Sequence, residues 1–432
     1  MAVYDRWHLS HPPEGAQPCK CGRGKNKLYP SADHGCAKRW QVRWRDHEGK
    51  QRKRNFAEKN GDDPERHAAA FDAKVNADLD AGTYVAPELG RITLEEWARQ
   101  WRAGQAGDPA TLETLDKHLA HVVGSPIGGR ALADLSRSPS AIQQWIKGLE
   151  DKGLSAIYMR AIKHTLSTVL AAAVDDGRIP RNPVRSSSVR LPKVPERRIR
   201  PWTLEMITAA REEIDRRCAS PAMVDLAAAA GLRESEVFAF AEEDIVWLGA
   251  DRKILVRRQI KRIRDASGAY RLVYALPKHS KEREVPLSDT LAERLAEQIA
   301  KRSPVPVTLP WGRPDGKGRT YRLLFVKADG GPWYRQAFQH TWEAARKAAE
   351  APPSPDPGGR FHVLRHTFAS IQLAGGADVL KLAAWLGHSD PGFTLRTYAH
   401  LMPDTRDVGR RAVDNFFAGR PSALDVPSEG RG

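Results

Sequence analysis

Four side chains suited to proton transfer and phosphate chemistry occur within one stretch near the C-terminal end of the chain. Residues 361–400 contain His362, Arg365, His388 and Tyr398. A histidine can carry a proton near neutral pH, an arginine keeps its charge, and a tyrosine hydroxyl can act as a nucleophile. The apolar spacing predicts consecutive short helices, which would hold these groups in a fixed arrangement.

The chain carries a large excess of positive charge. Its 432 residues include 69 Lys and Arg against 53 Asp and Glu, which leaves a formal net charge of +16. Such an excess indicates a polyanionic partner, and nucleic acid is the first candidate. A polybasic membrane protein is the rival, but no apolar run approaches the roughly 18–20 residues of a transmembrane span. We therefore expect a DNA-binding protein of the bacterial cytoplasm or nucleoid, with no membrane partner and no signal peptide.

The four cysteines are too few for a disulfide framework and are typical of a reducing compartment. Cys19, Cys21, His34 and Cys36 form a CxC…HxC pattern. Four N or S ligands suffice for a tetrahedral zinc ion, although a one-residue gap between cysteines is tighter than the usual two to four. Free thiols are the alternative, and the sequence leaves both open.

The N-terminal region predicts a small basic sheet. Residues 1–37 are rich in Pro, Gly and Lys, so we expect a loosely ordered segment. In residues 38–88, alternating Trp40, Val42 and Trp44 predict a half-buried strand, followed by a hairpin and one helix. Such a sheet can contact a DNA major groove. The candidate DNA-binding side chains are Arg43, Arg45, Arg52, Lys53 and Arg54. The alternative is a solvated hairpin whose edge charges prevent aggregation.

Residues 91–180 predict a compact bundle of four helices, the first of which begins with a capping box at Thr93–Glu96. Residues 181–201 contain prolines and arginines, which predicts an extended basic linker with affinity for a phosphate backbone. A plain flexible linker is the alternative reading of this segment.

Residues 202–418 predict a domain that mixes helices with short strands. The expected strands are Lys253–Ile260, Tyr270–Leu276 and Glu284–Leu287. Residues 303–320 are rich in Pro and Gly and suggest a surface insertion, residues 404–417 a last short helix, and residues 419–432 a disordered tail. The expected fold class is therefore multidomain and mainly α, with small β-sheets.

Four motifs of this domain occur in an order that resembles one known family. They are GLRESEV, PKHSKEREVPL, HVLRHTFAS and LGHSDPGFTLRTYAHL, within residues 231–401. Together they resemble the α+β catalytic domain of the tyrosine recombinases, the phage-integrase family. The whole chain resembles integrases of actinobacterial-type mobile elements. By position, residues 38–88 resemble an arm-site-binding module and residues 91–180 a helical core-binding (SAM-like) domain.

The resemblance implies a role for each matched residue. The catalytic set is Arg233, Lys278, His362, Arg365, His388 and Tyr398. In this family the two arginines hold the phosphate, the lysine protonates the leaving oxygen, and the tyrosine is the nucleophile. His362 is the implied proton acceptor for the tyrosine, and His388 the implied donor to the phosphate.

Five further positions follow from the same resemblance. Glu236 is expected to orient Arg233, and Lys281 is both a rival for the lysine role and a DNA contact. His366 and His400 are assigned structural roles. Val363 departs from the family, in which many members carry Asp, and so removes a supporting hydrogen bond.

The implied activity is site-specific recombination through a 3′-phosphotyrosyl intermediate, which integrates or excises a mobile element. The implied assembly is a homotetramer on double-stranded attachment sites, with an excisionase and a host DNA-bending protein as accessory partners. No cofactor is expected. Two alternatives remain at this point: DNA relaxation like that of a type IB topoisomerase, and a non-catalytic DNA-binding protein.

Overall fold

The structure is a computed structural model. It describes residues 2–21, 27–46, 49–82, 84–86, 88–194, 200–247, 249, 251–352, 361–399, 410, 413–415 and 417–418. The chain divides into two compact units, residues 1–195 and 196–432, and each is described by itself. Among the described helices, none is both long enough and apolar enough to cross a membrane.

The first unit begins with an antiparallel sheet of three strands. The strands are β1 (Ala2–Asp5), β2 (Trp40–Arg45) and β3 (Gln51–Phe56), in the order β1-β2-β3. Helix α1 (Ala68–Asp80) packs on one face. The side chains buried between sheet and helix are apolar: Val42, Trp44, Phe56, Ala68 and Val75. Because strand residues alternate between faces, the intervening arginines of β2 lie on the opposite, open face.

The N-terminal segment differs from the expectation of loose order in residues 1–37. Ala2–Asp5 pairs with β2, with Ala2 opposite Arg43 and Asp5 opposite Trp40. The carboxylate of Asp5 accepts hydrogen bonds from the Arg39 guanidinium, including one of 2.7 Å from Nη2. This ion pair joins two segments that are far apart in sequence, which composition alone does not reveal.

In the described part of the first unit, five α-helices follow, one more than expected. They are α2 (Leu94–Ala103), α3 (Pro109–Leu119), α4 (Leu132–Arg137), α5 (Pro139–Asp151) and α6 (Ala156–Asp175). The predicted capping box at Thr93 is confirmed, since Thr93 Oγ1 accepts from the Glu96 backbone N–H and Glu96 accepts from the Thr93 N–H. The short helix α4 has too few turns to produce a clear apolar stripe.

The first half of the expected linker packs on this bundle. Val184 and Val189 are buried within the hydrophobic cluster of the helices. The Lys163 ammonium donates a 2.8 Å hydrogen bond to the Val189 carbonyl. Residues 195–199 of the expected linker lie outside the described residues. The segment 181–194 is therefore part of the bundle's surface rather than a free strap.

The described residues of the second unit form helices and three small antiparallel sheets. Its helices are α7 (Leu204–Cys218), α8 (Ala222–Ala230), α9 (Glu234–Val237), α10 (Asp289–Lys301), α11 (Arg335–Ala348), α12 (His362–Ala374), α13 (Val379–Leu386) and α14 (Pro391–Tyr398). Its strands are β4 (Ile245–Val246), β5 (Lys253–Val256), β6 (Gln259–Arg264), β7 (Tyr270–Ala275), β8 (Arg283–Pro286), β9 (Val305–Pro310) and β10 (Gly318–Leu323). The sheets are β4-β5-β8, β6-β7 and β9-β10.

Two segments of the second unit differ from the sequence expectations. The single strand expected at Lys253–Ile260 is two strands in different sheets, because Arg258 turns inward and donates a 2.6 Å hydrogen bond to Asp244. The expected surface insertion at 303–320 contains β9 and the start of β10, and the hydroxyl of Tyr274 donates to the Val307 carbonyl at 3.1 Å. The helix expected at 404–417 lies mostly outside the described residues, and the tail at 419–432 lies wholly outside them.

Candidate active site

Arg365 lies at the centre of a polar cluster in the second unit. It sits in the first turn of α12 and is 0% exposed. Its Nη1 donates a 2.7 Å hydrogen bond to the Gly231 carbonyl. Its Nη2 donates to the Leu386 carbonyl and lies 3.1 Å from Nε2 of His388. The guanidinium is thus fixed in position by two backbone segments from elsewhere in the chain.

The ends of helices α8 and α13 form the platform for this cluster. Both helices end at a glycine in the left-handed region, Gly231 at φ 67° and Gly387 at φ 65°. The last carbonyls of a helix lack partners within it and carry partial negative charge, which suits arginine donors. A Cβ atom on Gly231 would lie 2.5 Å from Cδ1 of Phe368. Glycine therefore allows α8 to end in close contact with α12.

Glu236 joins two further arginines beneath the cluster. Its Oε1 accepts hydrogen bonds from Arg233 Nη1 at 2.8 Å and from Arg283 Nη1 at 2.9 Å. Its Oε2 accepts from Arg283 Nη2 at 2.6 Å. Burial alone would raise the pKa of Glu236, but the guanidiniums of Arg283 and then Arg233 lower it to about 2. The carboxylate is therefore ionised and orients both arginines.

Arg233 and Arg283 also contact the end of α13. Arg233 Nη2 donates to the Gly387 carbonyl at 3.4 Å, and Arg283 Nε donates to the Trp385 carbonyl at 2.7 Å. The Arg233 side chain keeps 16% of its surface exposed, whereas that of Arg283 keeps 5%. Arg233 is thus the more accessible of the two to an incoming anion, and Arg283 is a buried support.

The hydrogen bonds of His388 define its tautomer. A guanidinium can only donate, so Nε2 of His388 accepts from Arg365 and Nδ1 carries the proton. Nδ1 then donates to Thr394 Oγ1 at 2.7 Å. Burial and the positive charges of Arg365, Arg233 and Arg283 lower the pKa of His388 to about 3. The ring is therefore neutral at neutral pH in the absence of an anion.

The hydroxyl of Tyr398 lies 2.6 Å from Nδ1 of His366. Tyr398 ends helix α14 and is 1% exposed. Burial raises the pKa of its hydroxyl to about 12, so the phenol is protonated at neutral pH. His366, which we expected to be structural, is thus the histidine in contact with the tyrosine.

His362 lies one helical turn before His366, and the two rings meet edge to face with centroids 4.8 Å apart. Burial, followed by the neighbouring His366 and Arg365, lowers the pKa of His362 to about 3. No hydrogen bond between His362 and Tyr398 is found in the part of the chain that the structure describes. Val363, at the position that departs from the family, is half-buried, and its carbonyl accepts from Thr367 Oγ1 at 3.0 Å.

Lys278 and Lys281 lie apart from this hydrogen-bonded cluster. Both are exposed, in the turn that joins β7 to β8. Within the described ranges, no hydrogen bond or ion pair connects either lysine to the cluster. The turn nevertheless leads directly into Arg283, so its C-terminal end is anchored to Glu236.

The five basic residues of the N-terminal hairpin divide between the two faces of its sheet. Arg43, Arg45 and Lys53 are exposed on the open face. Arg52 and Arg54 lie on the helix side, where Arg52 Nε donates to Asp46 Oδ2 at 2.8 Å and Arg54 Nη2 to Glu65 Oε2 at 2.7 Å. The structure thus separates a set that the sequence grouped together, because alternate strand residues point to opposite faces.

The expected metal-ligand set also changes membership. The candidate ligand atoms of His8, Cys19, Cys21 and His34 all lie within 4.8 Å of one another. Cys36 is exposed and lies outside this group. His8 was not in the predicted set because it precedes the cysteines by eleven residues and no motif links it to them.

Sequence reasoning missed three residues of the catalytic-domain cluster: Arg283, His366 and Thr394. Two of them left a signal. His366 follows His362 by one turn of a predicted helix, so both were bound to share a face. Arg283 lies two residues before Val285 in a strand whose burial alternates, so both side chains point to the same, buried face. Thr394 left no such signal, since its contact depends on how α14 folds back to His388.

Comparison with known proteins assigns the family. Residues 197–404 match the phage integrase family. A XerC-like tyrosine recombinase of Caldanaerobacter subterraneus subsp. tengcongensis is 22% identical over 345 residues, covering 76% of this chain and 84% of the relative. The tyrosine recombinase XerD of Corynebacterium glutamicum is 33% identical over 136 residues, covering 31% of this chain and 40% of the relative.

A solved structure shares the fold. The Tn1549 transposon integrase in complex with a circular intermediate DNA has a TM-score of 0.59 and 21% identity, covering 75% of this chain and 99% of that one. The expected fold class, multidomain and mainly α with small sheets, is confirmed. The actinobacterial-type origin stays a prediction. Residues 197–404 form a phage integrase domain, and the chain is a tyrosine recombinase.

Proposed function

We propose that this recombinase cleaves and rejoins DNA at the attachment sites of a mobile element, with Tyr398 as its nucleophile. The observation that carries the proposal is the hydrogen bond between Tyr398 and His366 in a cluster that also holds Arg365, Arg233 and His388. A phenol beside a histidine and two guanidiniums meets the needs of a phosphodiester transesterification.

Arg233 and Arg365 bind the scissile phosphate in this proposal. Guanidiniums stay charged throughout the reaction and offer paired N–H donors to phosphoryl oxygens. Arg365 Nε is buried without a hydrogen-bond partner among the described residues. Its N–H can therefore donate to a phosphoryl oxygen. Glu236 and the carbonyls at the ends of α8 and α13 hold the arginines in place before DNA arrives. That preorganisation lowers the reorganisation cost in the transition state.

The cleavage step transfers one proton at each end of the reacting phosphate. The Tyr398 hydroxyl gives its proton to His366 Nδ1 as the phenolic oxygen bonds to phosphorus. The bond from phosphorus to the 5′ oxygen breaks, and Lys278 supplies the proton that completes the free 5′-hydroxyl. The product is a 3′-phosphotyrosyl ester, which retains the bond energy for rejoining. The chemistry draws on side chains alone.

His388 acts as a donor once phosphate is present. Its low pKa arises from burial and from three nearby guanidiniums. A bound phosphodiester adds a negative charge that offsets this repulsion and favours a proton on Nε2. The protonated ring can then donate to a phosphoryl oxygen while Nδ1 still donates to Thr394.

Access to the site requires a movement of α14. Tyr398 is 1% exposed and Arg365 is 0% exposed. A DNA phosphate therefore cannot contact both the Tyr398 hydroxyl and the Arg365 guanidinium in this arrangement. Helix α14 spans only Pro391–Tyr398 and carries the tyrosine at its end. A movement of this short helix would turn the Tyr398 hydroxyl outward. DNA binding would supply the free energy for that movement through the arginine contacts.

The open face of the N-terminal sheet is the proposed second DNA contact. Arg43, Arg45 and Lys53 lie exposed on adjacent strands, with Arg43 directly opposite Lys53. Arg52 and Arg54 support the sheet through their ion pairs instead. Lys281, in the turn between β7 and β8, would contact a further phosphate. Residues 91–180 would bind the core of the attachment site.

The active assembly is proposed to be a homotetramer on two attachment sites, in the bacterial nucleoid. Two rounds of strand exchange through a four-way junction would then complete recombination. An excisionase and a host DNA-bending protein would determine the direction.

A plasmid assay separates this proposal from its alternatives. Supercoiled DNA that carries two copies of the element's attachment site should yield recombinant circles, and DNA without the sites should stay supercoiled. Equal relaxation of both plasmids would indicate topoisomerase activity. Binding without any product in either plasmid would indicate a non-catalytic DNA-binding protein. The relatives compared above are recombinases and an integrase, which supports the first outcome.

A further inference from the structure

Two histidines and two cysteines of the N-terminal segment converge in the first unit. Their candidate ligand atoms lie within 4.8 Å of one another, with Cys21 Sγ already 3.4 Å from His34 Nε2. In a tetrahedral zinc site, bonds of about 2.0–2.3 Å leave the ligand atoms roughly 3.3–3.8 Å apart. Shortening the longest of these separations by about 1.0–1.5 Å would therefore complete the tetrahedron. We propose that His8, Cys19, Cys21 and His34 bind one structural Zn²⁺ ion.

The orientation of His8 supports this assignment independently. Its side chain is 3% exposed, and Nδ1 donates a 2.8 Å hydrogen bond to Asp5 Oδ2. Nε2 is buried and has no hydrogen-bond partner among the described residues. A histidine that donates one ring N–H to a carboxylate presents the other nitrogen's lone pair to a metal. Burying such an acceptor without a partner is costly, and a metal ion removes that cost.

Arg39 in turn fixes the position of the Asp5 carboxylate. Asp5 accepts hydrogen bonds from Arg39 Nε at 3.1 Å and Nη2 at 2.7 Å. The carboxylate is therefore fixed between a guanidinium and an imidazole, and the imidazole is fixed in turn. Such outer contacts set the ring orientation and the tautomer of a metal ligand.

Backbone hydrogen bonds bring the ligand-bearing segments together. The Cys19 N–H donates to the Leu28 carbonyl at 2.7 Å, the Leu9 N–H to Tyr29 at 2.8 Å, and the Ser31 N–H to Trp7 at 2.9 Å. These bonds place His8 beside the strand-like segment that leads to His34. The donor set of two sulfurs and two nitrogens in a compact group is one that zinc prefers.

The ion would stabilise the sheet that carries the proposed DNA contacts. Among the residues that the structure describes, the hydrophobic cluster of that sheet contains five buried residues, from Val42 to Val75. Cores of that size usually need an additional covalent or metal constraint. A zinc ion bound to His8 fixes the end of β1, which pairs with β2 along its whole length. The site thus compensates for a small core, and it does not depend on the proposed recombinase activity.

Metal content tests the assignment, with Cys36→Ser as the matched control. The full chain is prepared without a polyhistidine tag, dialysed under reducing conditions and analysed by plasma mass spectrometry. We expect roughly one zinc per chain in the wild type and in Cys36→Ser, and at least about a tenfold loss in Cys21→Ser. No zinc in the wild type, or an equal loss in both variants, would overturn the proposal.

Two measurements on the unmutated chain test the proposal even if Cys21→Ser fails to fold. Replacement by Co²⁺ should give the intense d–d absorption of a tetrahedral site together with thiolate charge-transfer bands; a weak octahedral spectrum would contradict the ligand set. Chelation should accelerate amide hydrogen exchange in β1 and β2 while leaving α8 and α12 unchanged. Unchanged exchange in β1 and β2 after complete metal removal would contradict the structural role.

Discussion

Nδ1 of His366 lies 2.6 Å from the hydroxyl oxygen of Tyr398, which places a candidate base within hydrogen-bond distance of the candidate nucleophile. The resemblance to the integrase family implied His362 for that role. His362 instead meets the ring of His366 edge to face, one turn earlier on α12. The two histidines therefore make different predictions, which substitution can separate.

Replacing His366 should slow DNA cleavage more than replacing His362. A positioned general base contributes a factor of roughly 100 or more, so we expect a loss of about that size in His366→Ala. The measurement is the single-turnover rate of cleavage on a nicked suicide substrate. His340→Ala, which removes an exposed histidine of α11, is the control and should cleave at the wild-type rate. A normal rate in His366→Ala, with a large loss in His362→Ala, would return the role to His362.

Replacing Glu236 should destabilise the second unit strongly. Glu236 is 1% exposed, and its carboxylate neutralises Arg283, which would otherwise be a buried charge without a partner. Breaking a buried ion pair in this way costs about 3–5 kcal/mol, so Glu236→Ala should lower the free energy of unfolding by that order. Asp315→Ala removes an exposed pair with Arg313 and should have little effect. Chemical unfolding of the full chain, followed by tryptophan fluorescence, provides the comparison; equal midpoints for the two variants would refute the supporting role.

The contribution of Glu236 to the free energy of unfolding should also depend on pH. The folded-state pKa of Glu236 is about 2, below its ordinary value of 4.5. A lowered carboxyl pKa stabilises the folded state above the unfolded pKa, and this stability is lost as pH falls towards the folded pKa. The stability gap between wild type and Glu236→Gln should therefore be full at pH 7 and should narrow below about pH 4.5. A gap that widens on acidification would contradict the assigned direction.

Lys278 should be dispensable when the leaving group needs no proton. Lys278→Ala should slow cleavage of an ordinary phosphodiester by roughly 100-fold or more, and a substrate with a 5′-phosphorothiolate leaving group should restore the rate. Lys281→Ala serves as the matched control, because both lysines are exposed in the same turn. If only Lys281→Ala shows this rescue, the acid has been assigned to the wrong lysine.

The salt dependence of DNA binding should report which hairpin residues contact phosphate. Each phosphate contact contributes about −0.9 to the slope of log K against log salt concentration. Replacing Arg43, Arg45 and Lys53 together by alanine should flatten the slope by roughly three such contributions on arm-site DNA. Arg54→Ala should leave the slope unchanged, because its guanidinium is paired with Glu65 on the other face. An equally flattened slope in Arg54→Ala would mean that DNA contacts are not confined to the open face of the sheet.

The sequence predicts the short helices within residues 361–400, because their signals are local. The apolar residues of α12 recur at helical spacing, and the four motifs occur in the family's order. The capping box at Thr93 needs only residues three positions apart. Such features depend on neighbours in the chain, which is why they can be recognised without a structure.

The remainder depends on contacts between distant residues. Glu236 and Arg283 are 47 residues apart, and nothing near either one indicates the pair. The break between β5 and β6 follows from the inward turn of Arg258 towards Asp244, 14 residues earlier. The metal-ligand set changed for the same reason, since His8 joins Cys19, Cys21 and His34 only through the folded backbone. Polar contacts between separate segments carry no periodic signal.

The central claim is that Tyr398 becomes covalently linked to DNA. The direct measurement incubates the full chain with a nicked suicide substrate of its attachment site, isolates the covalent complex and sequences the DNA-bound peptide. We expect the adduct at Tyr398, and Tyr398→Phe should bind the DNA with unchanged affinity and form none. An adduct on another residue, or one that persists in Tyr398→Phe, would contradict the assignment of the nucleophile.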